Sequence, residues 1–105
     1  MNMPTATMDS KQKKHLKALG HNLSPVVTVA GNGLSKPVLA EITRALHDHE
    51  LIKVKFAVGD RDIKQALIAE MCSTCGCDLV QQIGHLALIY KANADARPNL
   101  TNIKS

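Results

Sequence analysis

Tryptophan is absent from this 105-residue chain, and phenylalanine and tyrosine occur once each, as Phe56 and Tyr90. So few aromatics argue against the platforms on which single-strand readers stack bases. Both also fall in strand-like runs, where burial accounts for them. No stretch approaches the roughly 18 apolar residues of a membrane helix. The opening MNMPTATMDS has neither the charged start nor the apolar middle of a secretory signal, and it lacks the arginine of a transit peptide. A soluble cytoplasmic protein is expected.

Cysteine is scarce too, at three residues, and the odd count without a signal peptide argues against a disulfide scaffold. Cys72, Cys75 and Cys77 have the spacing C-x2-C-x-C, which resembles half a metal site. A fourth ligand would have to come from afar, with His85 as the candidate, and no second C-x2-C pair exists. Small residues at a helix end and the start of a strand are the simpler account. The nucleotide-binding signatures also fail. Gly31 and Gly33 are followed by Lys36 where G-x-G-x-x-G needs glycine, and no lysine follows a glycine in the P-loop frame.

What is present is an ordinary apolar share of 45%, enough for one small globular domain built on Val, Ile, Leu, Ala and Met. Thirteen Lys and Arg face nine Asp and Glu, a net charge of +4. That excess is mild, so its distribution decides more than its sum. Lys11, Lys13, Lys14 and Lys17 crowd one short segment, and Lys36, Arg44, Lys53, Lys55, Arg61 and Lys64 follow.

The periodicity gives the elements in order. Asp9 or Ser10 caps a first helix, Gln12 completes a capping box, Leu16 and Leu19 form its apolar edge, and Gly20 fits its stop. VVTVA, residues 26–30, is a strand. Ser35 caps a second helix with Pro37 in its first turn and Val38, Leu39, Ile42, Ala45 and Leu46 facing inward. LIKVKFAV, residues 51–58, alternates Lys53 and Lys55 with Ile52, Val54 and Phe56, so one face is wet and basic. Asp60 caps a third helix that ends at Gly76. CDLVQQI and LALIYKA read as two strands joined by a type II′ turn at Gly84-His85. The order α-β-α-β-α-β-β predicts an α/β two-layer sandwich, with three helices on a four-stranded mixed sheet. Residues 1–8 and 93–105 read as flexible tails around a domain at 9–92.

The turn from first strand to second helix, Ala30-Gly31-Asn32-Gly33, carries the chemistry. Glycines make it slim, the next helix offers its N-terminal amides to an anion, and Lys36 adds a full charge. One such contact is weak, so useful affinity for a polyanion needs the other lysines as well. Read alone, the turn also serves as plain strand-to-helix geometry.

The segments QKKHLKALGH, P-V-V, NGLS, VLAEI, HELIKVK and IGHLALIYK resemble, in content and order, a YhbY-type protein. That is a free-standing CRM domain, the KH-like module also found in organellar splicing factors. The resemblance spans about residues 10–92. It implies a fold similar to the C-terminal domain of a bacterial translation initiation factor. It also implies RNA binding through a basic surface and a G-x-x-G loop, association with precursors of the large ribosomal subunit, and no cofactor or catalysis. The first glycine of that loop is Ala30 here, which matters if the position needs positive φ. The expected RNA contacts are Lys11, Lys13, Lys14, Lys17, Ala30, Gly31, Asn32, Gly33, Lys36, Lys53 and Lys55. A monomer bound to ribosomal RNA is expected, with no membrane or small-molecule partner. The other classes are a protein-interaction adaptor with a basic face and a metal or redox sensor at the cysteines. His47 and His49 lie two apart and make a poor metal pair, and no nucleophile has an evident base, so no enzyme is expected.

Overall fold

The structure, a computed structural model, describes residues 9–103. The expected tail at 1–8 therefore lies outside the described residues. The elements are α1 (Ser10–Gly20), β1 (Pro25–Val29), α2 (Lys36–His49), β2 (Leu51–Phe56), α3 (Arg61–Cys75), β3 (Asp78–Ile83) and β4 (Leu86–Tyr90).

Each helix starts where its cap dictates. Asp9 Oδ1 accepts from the Gln12 amide at 2.8 Å, Ser35 Oγ from Val38 at 3.4 Å, and Asp60 Oδ1 from Ile63 at 2.9 Å. At the other end of α3, Gly76 adopts the left-handed conformation (φ +65°), and the Cys77 amide returns to the Cys72 carbonyl at 3.1 Å. Gly20 plays a different part from the expected stop. It is the last residue of α1, His21 follows with ordinary helical angles, and a Cβ at Gly20 would collide with the Leu88 side chain. Here glycine permits close packing of helix on sheet.

The sheet order is β1-β2-β4-β3, with β1 and β2 parallel and the other pairs antiparallel. At the β3–β4 turn Gly84 has φ +57° and His85 does not have positive φ, as a type II′ turn demands. Alternation along the strands divides the apolar residues between two faces. Val27, Val29, Ile52, Val54, Phe56, Ala87 and Ile89 meet Ile42 and Leu46 of α2 and Ile68, Met71 and Cys75 of α3. Those are the two expected layers. The opposite face carries a smaller cluster, in which Leu16 of α1 packs on Leu51, Val80 and Leu88. The narrow stripe of α1 thus finds its own apolar patch, and α1 adds a partial third layer. Phe56 lies in the main core and Tyr90 at the border of the smaller cluster.

The segment from Asn93 to Ile103 has no helix or strand, yet it is no free tail, and that expectation is corrected. The Asn93 amide and the Thr101 hydroxyl donate to the two Glu50 carboxylate oxygens at 2.8 and 2.7 Å. Asn102 Nδ2 donates to the Leu51 carbonyl at 2.7 Å, and Ile103 joins the smaller apolar cluster. Polar residues that look idle in sequence are satisfied by the junction of α2 and β2. Glu50 itself holds a strained backbone, φ +64° and ψ −43°, as it receives them.

Candidate nucleic-acid interface

The turn after β1 closes with the Gly33 amide donating to the Ala30 carbonyl at 2.9 Å. Of its four residues only Gly33 has positive φ, at +74°, which fits a type I turn with glycine in the last position. Ala30 therefore sits in ordinary backbone, and its departure from G-x-x-G brings no strain. Gly31 also has an ordinary φ, and a Cβ placed on it would touch nothing within 4 Å. Neither conformation nor packing inside this chain asks for glycine there. Ala30, Gly31 and Asn32 are exposed.

Parallel pairing of β1 with β2 brings their C-terminal ends to the same edge of the sheet. The Ala57 amide donates to the Val29 carbonyl and the Phe56 amide to the His85 carbonyl, both at 2.7 Å. The turn at 30–33, the segment at 57–60 and the turn at 84–85 therefore form one rim, where α2 and α3 also begin. Lys36 is exposed in the first turn of α2. Lys55 is exposed on the outer sheet face, paired in register with Thr28 and Leu86 close to the rim.

The other predicted lysines lie further off. Lys53 is half-buried on the outer face, where it lines a shallow groove with Gly20, His21, Ile83 and Leu86. Lys11, Lys13, Lys14 and Lys17 are exposed on α1. The C-terminal end of α1 packs at Leu88, while Leu16 reaches Leu51, further from the rim. At 1.5 Å per residue, Lys13 lies roughly 10 Å before Gly20 along the helix axis. The structure thus joins the glycine turn, Lys36 and Lys55 at the rim and sets the α1 lysines on the outer face, with Lys53 between the two groups. The β1 part of that face is uncovered, with Val26 and Thr28 exposed.

Among the described residues the sole side-chain ion pair joins His47 to its neighbour Asp48, at 3.4 Å. No described lysine or arginine has a carboxylate within salt-bridge reach. Among the described residues, no carboxylate pairs with the charge of the rim or of α1. Arg61 and Lys64, at the start of α3, count among the basic residues of the sequence but not among its expected RNA contacts, yet they stand on the same rim. The available signal was Gly59-Asp60 before a helix, an arrangement akin to Gly33-Leu34-Ser35.

The cysteines belong to the core. Cys75 and Cys77 are buried and Cys72 half-buried, and Thr43 Oγ1 lies 3.9 Å from Cys75 Sγ. A hydrogen bond from Cys77 holds the Cys72 thiol below its ordinary pKa, against burial and the nearby Asp78 charge. The same bond, then burial, pushes Cys77 upward. His85 stands at the far end of β3 from Cys77. Among the described residues no three His, Cys, Asp or Glu side chains are placed to hold a metal ion. His49 has a structural role, donating from Nδ1 to the Leu100 carbonyl at 2.6 Å. No described helix is long and apolar enough to cross a membrane.

Comparison with known families is decisive for kinship: residues 8–91 match the CRS1 / YhbY (CRM) domain. The chain belongs to the CRM domain family. Its relatives include a probable RNA-binding protein of Pseudomonas aeruginosa, 52% identical over 91% of this chain and 92% of that protein. An RNA-binding protein of Haemophilus influenzae is 47% identical over 90% of this chain and 95% of its own length. The CRM domain described here also superimposes on the solution structure of a hypothetical Staphylococcus aureus protein, described as a candidate RNA-binding protein. The TM-score is 0.74 at 28% identity, covering 87% of this chain and 95% of that one. Its α/β architecture is thus shared with a solved relative.

Proposed function

We propose that this CRM domain is a non-catalytic RNA-binding module that docks on precursors of the large ribosomal subunit in the cytoplasm, acting as a monomer without a cofactor. The carrying observation is the set of lysines without carboxylate partners, on α1 and around a turn whose Gly31 has no internal reason to be glycine. A phosphodiester is the ligand that suits such an arrangement. It needs slim backbone for close approach, outward amides and loose cations whose docking releases counterions. The scarcity of aromatics, with Phe56 buried and Tyr90 half-buried, favours recognition of backbone and shape over base reading. In this reading the glycine turn, Lys36 and Lys55 grip one phosphate run, while Lys11, Lys13, Lys14 and Lys17 meet a second through Lys53. The names of the relatives support RNA as the partner. The ribosomal target rests on the family resemblance.

The test is binding to fragments of large-subunit RNA across a salt series, with sedimentation of the protein in cell lysate. Lys13→Glu with Lys14→Glu is expected to weaken binding at least about tenfold. The salt slope should shrink by about 1.4 to 1.8, for two lost phosphate contacts. Binding unchanged in that double variant, or a protein that never travels with ribosomal particles, overturns the reading.

A further inference from the structure

Three of the six glycines have no neighbour within 4 Å of a would-be Cβ, namely Gly31, Gly59 and Gly84. All three lie on the rim, one in each of its three connections. Gly84 has its turn to explain it (φ +57°), but Gly31 and Gly59 have no positive φ. The chain keeps its backbone bare at two adjacent places where an alanine would fold equally well.

Beyond Gly59 the rim sinks into a groove of about 440 Å³ between the first turns of α3 and the β3–β4 turn, lined by Gly59, Arg61, Lys64, Gln65, Gln82 and Gly84. Its floor is braced, because Gln82 Nε2 donates to Gln65 Oε1 at 2.6 Å and ties β3 to α3. Its cations are placed but uncommitted to any acid. Lys64 Nζ leans on the Gly84 carbonyl at 3.2 Å, and Arg61 is exposed. Of the two acids beside Arg61 in sequence, Asp60 accepts the Ile63 amide and Asp62 is exposed in the first turn of α3, neither of them in an ion pair with Arg61 or Lys64 among the described residues. The glycine turn lies against the same helix, since a Cβ at Gly33 would lie 3.6 Å from Leu67 on α3.

We infer that this groove is a second backbone-binding subsite, in which Arg61 and Lys64 take phosphates of the same single RNA strand that crosses the glycine turn. The inference rests on the reading proposed above and extends it along the rim. From β1 to β3 is three strand spacings, about 14 Å. A G-x-x-G loop of the KH kind engages about four nucleotides. A strand leaving that loop meets the groove next. Arginine offers a planar fork matched to phosphate, and lysine a mobile point charge. The bare backbone at Gly59 lets the strand pass close.

The test uses a single-stranded RNA of about ten nucleotides, long enough to span the rim, with affinity measured by fluorescence anisotropy over a salt series. Arg61→Ala with Lys64→Ala is expected to bind about tenfold more weakly, with the salt slope reduced by about 1.4, two single-strand contacts. Arg61→Lys with Lys64→Arg should keep most of the affinity, which separates lost charge from damaged folding. Full affinity and an unchanged slope in the alanine pair overturn the subsite, provided Gly31→Asp abolishes binding in the same assay. So does an equal loss in the charge-keeping pair. Failure of the unaltered protein to bind any RNA strikes the underlying reading instead.

Discussion

The two ends of the sheet use similar residues to opposite effect. At the end where α2 closes, Asn93, Thr101 and Asn102 spend their hydrogen bonds on Glu50 and on the Leu51 carbonyl. Even the histidine there is committed, to the Leu100 carbonyl. At the rim, Asn32, Lys36 and Arg61 face outward, and the glycines lie bare. Polar groups satisfied within the chain stabilise it, whereas polar groups left open are available to something else. On the proposed function, the contrast separates residues whose loss unfolds the domain from residues whose loss spares the fold and weakens binding.

The sharpest way to break the contrast is at Glu50. Glu50→Ala removes two charge-assisted hydrogen bonds and keeps the strained backbone, so urea unfolding should show a loss of about 2–4 kcal/mol. RNA affinity of the folded protein should stay within about twofold. A large loss of affinity would show that the clasped end also serves binding.

Two neighbouring glycines give a finer test. Gly33→Ala forces a Cβ into positive φ and should cost about 1 kcal/mol of stability or more. Gly31→Ala should leave stability within about 0.5 kcal/mol while measurably weakening RNA binding. If Gly31→Ala binds as before, the openness of that position has no bearing on the ligand.

The smallest effect belongs to Tyr90. Burial, then the charges of Glu50 and Asp78, raise its pKa above the ordinary 10.0. The folded state therefore holds the phenolic proton longer than the unfolded chain does. The stability tied to that proton is complete below pH 10 and is lost as pH rises through the folded value. Tyr90→Phe should flatten the alkaline limb of a stability–pH curve, and an unchanged limb would assign the loss to other groups.

Much of this was legible in sequence because it is local. Asp9, Ser35 and Asp60 announce their helices, and the Lys53–Lys55 alternation fixes the wet face of β2. What stayed hidden depends on meetings of distant segments. Gly20 looks like a helix stop until Leu88 arrives from β4. The polar run after Asn93 looks idle until Glu50 and the Leu51 carbonyl receive it. Arg61 and Lys64 join the candidate site only through the parallel register, which sets the end of β2 beside the end of β1. Ala30 raised a doubt that only its φ could remove.

The strand order has a consequence for how the domain is made. Strand β4 is the last to leave the ribosome, yet it lies inside the sheet between β2 and β3. Until it inserts, β3 has no partner and the turn at Gly84 does not exist. A nascent chain halted before Leu86 therefore lacks one wall of the rim, and the surface proposed to hold RNA is complete only once β4 has been made.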